Sequence, residues 1–306
     1  MLAKIRMARS SPVFYPSSSM TNAPQIDRAV TAVTHDGAFR VIALRATETV
    51  RDALGRQAVR GANAQHLAEV LGGTILVRLT MAPKQRVQGI IRGAGNRGTL
   101  LGDSHPDGTA RALIQRPAGL DEVSLAQGAI MQMNRTLPTG AVHQGMVEVP
   151  DGGVSGALMS YFQASEQIEC VVSVGATFER GELVTAGGFI VQLLPEVSRA
   201  PLAVMAERLD HDFSDPAAML RMIASDPATL VGEILFDMPY EQTQEAEVRF
   251  GCQCSSVRVL ASLATLPKHE IRELMESEEQ LSISCDYCGQ HYELSPKALA
   301  GLLSSS

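Results

Sequence analysis

Apolar and polar positions change their rhythm twice along the chain. A β-rich run at residues 39–45, FRVIALR, leads into TETVRDALG, whose spacing predicts a helix capped by Thr47 and ended at Gly55. A second helix is predicted over NAQHLAEVL from Asn63, stopped by the pair Gly72-Gly73. From Gln85 the pattern becomes one of short strands, QRVQGIIRG, TLLGD and TARALIQ, punctuated by Gly, Asn and Asp. Further strands are expected over 141–149, 168–175 and 189–194. Residues 25–196 therefore predict an α+β fold: a mixed N-terminal domain with a largely antiparallel sheet.

After Pro195 the strands give way to short helical pieces. Over 197–248 these are opened by Ser214-Asp215-Pro216 and Asp226-Pro227, each a cap followed by proline at the first helical position. Leu202, Met205 and Leu209, then Leu220, Met222 and Ile223, then Leu230, Ile234 and Leu235 fall on apolar faces. Helices so short and broken by proline are marginal alone, so this stretch is expected to be a metastable helical linker that persists only by docking on a neighbour. Residues 249–303 hold one clear helix pattern, LPKHEIRELMES, and a strand-like LSIS, with few large apolar groups. A piece that small needs a staple to fold. The leader 1–24, with Lys4, Arg6 and Arg9 and many serines ahead of the first acidic residue, Asp27, predicts a disordered tail, or translation from an upstream start with Met20 the true one.

Composition sharpens this outline. With 306 residues, 45% of them hydrophobic, the chain is long enough for two folding units. No apolar run approaches the roughly 20 residues that a membrane helix needs, so a soluble, cytoplasmic protein is expected. Residues 1–120 hold 16 Lys+Arg against 7 Asp+Glu, and the remainder 10 against 26, which together give the net charge of -7. Halves of opposite sign attract each other within one molecule. The acidic total and the absence of tryptophan argue against a nucleic-acid partner.

The chemistry is concentrated in cysteine. Four of the five cysteines, Cys252, Cys254, Cys285 and Cys288, read C-x-C, thirty intervening residues, then C-x-x-C-G. With no secretory signal, clustered thiols bind metal or sense redox state rather than staple the fold. Thiolates suit tetrahedral zinc, one ion per chain; residues i and i+2 of an extended segment point the same way, and Gly289 eases the bend of the second pair. His291 lies close in sequence, but four thiolates already complete the shell. A catalytic thioredoxin-like pair would open a helix, and GQHYELS does not begin as one. Gly93, Gly95 and Gly98 spell G-x-G-x-x-G, but the strand and turn that follow make this a β-hairpin loop rather than a phosphate cradle. Cys170, in IECVVSV, reads as a buried structural thiol. His35, His66, His105, His143 and His211 show no metal-type spacing, and no nucleophile elbow or Walker motif marks the chain as an enzyme.

FGCQCS and CDYCGQHYEL, with SYFQASEQIE and AGGFIVQLLPE upstream, resemble the heat shock protein 33 family of redox-regulated chaperones. The resemblance runs from about Asp27 onward, densest after Gly156 and loosest from GNRGTLLGDS to QRPAG. It implies a cytosolic, ATP-independent holdase, inactive while reduced and zinc-bound. Oxidation would join Cys252–Cys254 and Cys285–Cys288, expel zinc, and unfold the C-terminal module with its linker, exposing a surface that holds unfolding client proteins. Oxidised members tend to form homodimers. Physics points the same way: zinc binding is worth roughly 10–16 kcal/mol in small zinc peptides, against ~5–15 kcal/mol for a whole domain. Losing it should unfold the module and bare apolar faces carrying Met205, Met219 and Met222, a residue that adapts to varied partners. The rival is a zinc-ribbon-type nucleic-acid-binding or structural adaptor protein. Against nucleic acid stand seven acidic and four basic side chains over 250–306.

Overall fold

The computed structural model describes residues 25–194, 200–213, 216–277 and 281–304. The expected tail with its Met20 start, the boundary at Pro195 and the Ser214-Asp215 cap lie outside the described residues.

The front of the chain alternates strands with three helices: β1 (Asp27–Thr34), β2 (Phe39–Arg45), α1 (Thr47–Gln57), α2 (Gly61–Thr80), β3 (Arg86–Arg92), β4 (Thr99–Ser104), β5 (Thr109–Gln115), β6 (Ile130–Thr136), β7 (Val142–Glu148), α3 (Gly153–Tyr161), β8 (Cys170–Glu179) and β9 (Glu182–Leu193). Three helices follow, α4 (Ala200–Asp212), α5 (Pro216–Ser225) and α6 (Pro227–Ile234), then β10 (Tyr240–Phe250). The C-terminal part holds α7 (Ser256–Leu263), α8 (Lys268–Ser277), β11 (Leu281–Ser284), β12 (His291–Leu294) and α9 (Pro296–Ser304). The architecture is α+β, as expected, with ten strands in one sheet in the order β7-β6-β3-β4-β5-β10-β1-β2-β9-β8. All its pairings are antiparallel except a short parallel contact of Arg249 and Phe250 in β10 with Thr109 and Ala110 in β5.

Both faces of the middle of this sheet are covered, which explains why FRVIALR is almost continuously apolar rather than alternating. Ile42 and Leu44 point to one core with α1, α2 and α3. Val41 and Ala43, with Phe39, Phe189 and Val191, point to a second core built with α4, α5 and α6. The linker faces predicted from sequence are the residues that dock: Leu202, Met205, Leu209, Leu220, Ile223, Leu230, Ile234 and Leu235 are buried there, with Met222 partly buried beside them. The Asp226 carboxylate caps α6 through the Ala228 amide at 2.8 Å, with Pro227 opening the helix. Gly187 lets this layer come close, since a Cβ there would run into the Leu44 carbonyl and stand 3.2 Å from Ile223.

Four local expectations are corrected. Thr47 does not cap α1; the buried Asp27 carboxylate does, taking the Thr49 amide at 2.6 Å and its hydroxyl at 2.7 Å. A tertiary partner at the start of β1 thus replaces the local cap, and α1 runs past Gly55 to Gln57. Helix α2 runs through Gly72-Gly73 to Thr80, because the helix is buried and these glycines serve close packing: a Cβ on Gly73 would lie 2.5 Å from Leu158. Residues 240–248, placed by sequence in the helical linker, form a strand that runs on through Arg249 and Phe250 of the expected C-terminal module. Only Val248 of YEQTQEAEVRF is fully buried, so no period marked it, and it holds by pairing with β1 from Asp27↔Val248 to Thr34↔Tyr240.

Candidate metal centre

Two short arms bring the four cysteines together. Cys252 and Cys254 lie on the irregular run between β10 and α7, which starts where Gly251 donates its amide to the Ala110 carbonyl of β5 at 3.0 Å. A Cβ on Gly251 would be 2.7 Å from the Thr109 Cβ, so glycine is required for that approach. Beyond the arm, the Ser255 hydroxyl caps α7 through the Arg258 amide. Cys285 and Cys288 sit on the turn joining β11 to β12. The Gly289 amide donates to the Cys285 carbonyl at 2.8 Å and the Cys285 amide to the Gln290 carbonyl at 2.9 Å. Gly289 has φ of 71°, a left-handed backbone that glycine adopts freely, which is why C-x-x-C-G closes here.

The Sγ atoms stand 3.7 Å apart for Cys252 and Cys285 and 3.4 Å for Cys254 and Cys288, and all four lie within 4.8 Å of one another. A tetrahedral shell with metal–sulfur bonds near 2.3 Å sets its sulfurs about 3.8 Å apart. The donor set therefore fits one thiophilic divalent ion. Two of the sulfurs, on the second arm, resist ionisation without a cation. Burial and the neighbouring thiols push Cys288 up to about 12, and burial raises Cys285. Cys252 goes the other way: burial opposes its ionisation, but the Arg111 guanidinium and backbone and thiol donors bring it down to about 7.

Further residues surround the sulfurs and, apart from Tyr287 and Tyr292 within CDYCGQHYEL, no motif marks them. Arg111 of β5 donates from Nη1 to the Cys252 sulfur at 3.3 Å and lies 3.9 Å over the Tyr287 ring. Tyr292 donates its hydroxyl to the Cys254 sulfur at 3.0 Å. From α1, Arg56 donates to the Cys288 carbonyl at 3.2 Å and Gln57 to the Asp286 and Tyr287 carbonyls. Behind Arg111, Asp103 is fully buried and takes Arg86 at 2.7 and 2.8 Å and Arg111 at 2.9 and 3.0 Å, with His105 at 3.3 Å. The alternation of TARALIQ marks Arg111 only as a polar strand position; its role depends on a pairing 141 residues away.

Asp103 carries a pH signature. Burial alone would raise its pKa, but the bonds and charges of His105 and Arg86 hold it well below its ordinary 3.8. On acidification the unfolded chain therefore takes up this proton first. The stabilisation from Asp103 is complete above about pH 4 and is lost as pH falls towards the folded value. Urea unfolding midpoints measured from pH 5 to pH 2.5 should show the gap between wild type and Asp103→Asn closing on acidification; a constant gap would refute the assignment.

The other candidates fall elsewhere. His291 lies outside the cluster, its Nδ1 paired with the Ser284 hydroxyl at 2.8 Å. The second cysteine pair is followed by strand β12, not a helix, so the thioredoxin-type arrangement is missing. Gly93, Gly95 and Gly98 form the loop of the β3–β4 hairpin. Cys170 is half-buried against the first core, and burial with Glu169 pushes its thiol up to about 12. Among the described residues no helix is long and apolar enough to cross a membrane.

Comparison with known proteins agrees with this geometry. A family model described as Hsp33 protein matches residues 27–295. A 33 kDa chaperonin of Syntrophotalea carbinolica is 27% identical over 287 residues, covering 90% of this chain and 99% of the relative. One of Streptococcus gordonii is 25% identical over 291 residues, covering 91% and 99%. The crystal structure of the 33 kDa chaperonin (heat shock protein 33 homolog) from Thermotoga maritima shares the fold, with a TM-score of 0.73 at 21% identity over 91% of this chain and 98% of that one.

Proposed function

The chain belongs to the Hsp33 protein family, and on that premise we propose that it is an oxidation-activated, ATP-independent chaperone that holds unfolding proteins. The observation that carries this is the cluster of four sulfurs within 4.8 Å, drawn from two arms of a module with very little apolar core. Cys252, Cys254, Cys285 and Cys288 would hold one zinc ion per chain in the reduced state. Bound there, the ion supplies a cross-link between the arms and the positive charge that lets four thiolates share the site.

Oxidation acts on the chain's own sulfurs. Two hydrogen peroxide molecules and four protons take four thiolates to two disulfides and four waters. With the pairing Cys252–Cys254 and Cys285–Cys288, each arm closes on itself and no thiolate is left to bridge the arms. Residues 249–303, the switch module, then lose their staple. The linker helices α4, α5 and α6 loosen with them, and apolar surface becomes available to clients in the cytoplasm. Dimerisation of the oxidised chain fits the same exposure. All four sulfurs lie within 4.8 Å of one another, so each within-arm pair can come to disulfide distance by a local rearrangement of its own arm. The nucleic-acid reading gains nothing from the site, since Arg111 and Arg86 are already engaged by Asp103.

Peroxide with mild warming, or hypochlorite, should release one zinc per chain to a chromogenic chelator and switch on suppression of client aggregation. Unchanged redox dependence in a Cys252→Ser, Cys254→Ser double variant would sink the proposal.

A further inference from the structure

We infer that Arg111 is an electrostatic latch: fixed from behind by buried Asp103, its guanidinium docks the C-terminal module by the negative charge of the reduced four-thiolate centre, and oxidation releases the module by abolishing that charge. The inference rests on the zinc-centre reading and adds how the rest of the chain reads the state of that centre.

Every side of the Arg111 guanidinium is in use. Nε and Nη2 face Asp103 Oδ2 at 3.0 and 2.9 Å, Nη1 donates to Cys252 at 3.3 Å, and the flat face covers Tyr287 at 3.9 Å. One side chain, 11% exposed, thus touches both cysteine arms, Cys252 on the first and Tyr287, next to Cys288, on the second.

The charges do not balance without the centre. Arg86 and Arg111 bring two positive charges to the single carboxylate of Asp103, which is 0% exposed, leaving an excess of one beside the sulfurs. A divalent ion with four thiolates sums to minus two, and so complements that excess. Burial of an uncompensated guanidinium is unfavourable, which makes the site sensitive to loss of the negative partner. Two disulfides carry no charge. After oxidation Arg111 faces neutral sulfur, and the attraction is gone.

Little else holds the module there. Its apolar residues, centred on Ile271, Leu294 and Leu299, form a cluster separate from the two cores of the sheet. The turn of the second arm also accepts hydrogen bonds from Arg56 and Gln57 at the carbonyls of residues 286–288, and the first arm starts from the sheet at the Gly251 amide and the Ala110 carbonyl; oxidation leaves both sets chemically unchanged.

The test compares wild type, Arg111→Met and Arg111→Lys as full-length, reduced, zinc-loaded protein, by hydrogen exchange of the amides of residues 285–290 and by chelator assay of bound zinc. Met fills the space without charge and leaves Asp103 paired with Arg86. Arg111→Met should keep one zinc per chain yet exchange at least about tenfold faster than reduced wild type, the size of losing a charge-assisted hydrogen bond. Arg111→Lys, which keeps the charge, should fall closer to wild type. Wild-type protection in Arg111→Met overturns the latch. So does loss of zinc from that variant, which would make Arg111 a support of the ligand set, or equal exchange in the Met and Lys variants, which would credit shape over charge. If circular dichroism shows Arg111→Met unfolded, Tyr287→Leu, on the other side of the contact, is measured with the same expectations. Failure of the redox-switch reading appears elsewhere, as wild type that keeps its zinc and protection under oxidant.

Discussion

Removing the metal from the reduced protein is expected to unfold residues 251–303 while leaving the ten-stranded sheet, with Arg249 and Phe250 at the end of β10, folded. Among the described residues only Ile271, Leu294 and Leu299 are fully buried in the module's own cluster, and its sheet is two strands of four residues each. Such a hairpin is marginal in water without further support. Metal binding worth roughly 10–16 kcal/mol in comparable peptides is therefore the dominant stabilising contribution, and without it the folded module should scarcely be populated. The sheet has separate support, with two cores of its own that share no buried residue with the module. Chelation under reducing conditions, or Cys285→Ser, should thus split thermal unfolding. Amides of residues 281–294 lose protection at low temperature, and those of β2 and β9 hold until the main transition. The decisive observation is the midpoint for residues 281–294. If it is the same with and without metal, the staple is not the metal and the proposed switch has no energetic basis.

How far the sequence announced this arrangement depends on the range of the interaction. The cysteine cluster was fully legible, because two local pairs with their own turn residue carry their geometry with them: Gly289 closes one arm wherever the chain places it. The linker faces were legible for a similar reason. Leu220 and Ile223 sit three apart on one short helix and need only a flat apolar surface to cover. What the sequence lacked were contacts between distant segments. Asp27 capping α1, Gly73 seating against Leu158, and Arg111 meeting Cys252 all join residues whose local patterns give no sign of the partner: the first acidic residue of the chain, a helix stop and a polar strand position. Strand β10 was missed most completely. Its charged, alternating-poor sequence has no period to detect, and pairing with β1 across more than two hundred residues supplies its structure. That pairing changes the view of the linker, because the segment expected to be only helical is anchored at its far end in the sheet.

That anchoring leads to the second large effect, in the core between linker and sheet. Ile223 in α5 and Leu230 in α6 are fully buried against β1, β2 and β9, covering Val30, Val41, Ala43, Phe189 and Val191. Truncating either to alanine should cost about 2–5 kcal/mol. Helices of ten and eight residues have almost no stability of their own to absorb that loss. The expected outcome is a reduced, zinc-loaded protein whose α4–α6 layer opens while the metal centre stays intact. Lifting the layer exposes both its Met-bearing faces and the apolar sheet beneath, and exposed apolar area of that kind is what a holdase offers an unfolding client. Ile223→Ala and Leu230→Ala should therefore suppress client aggregation without oxidant, bind an apolar fluorescent dye, and still retain one zinc per chain. Activation accompanied by zinc loss would place the control point in the metal centre alone. Variants that open by hydrogen exchange yet stay inactive would mean that the client surface lies outside the linker and the sheet face it covers.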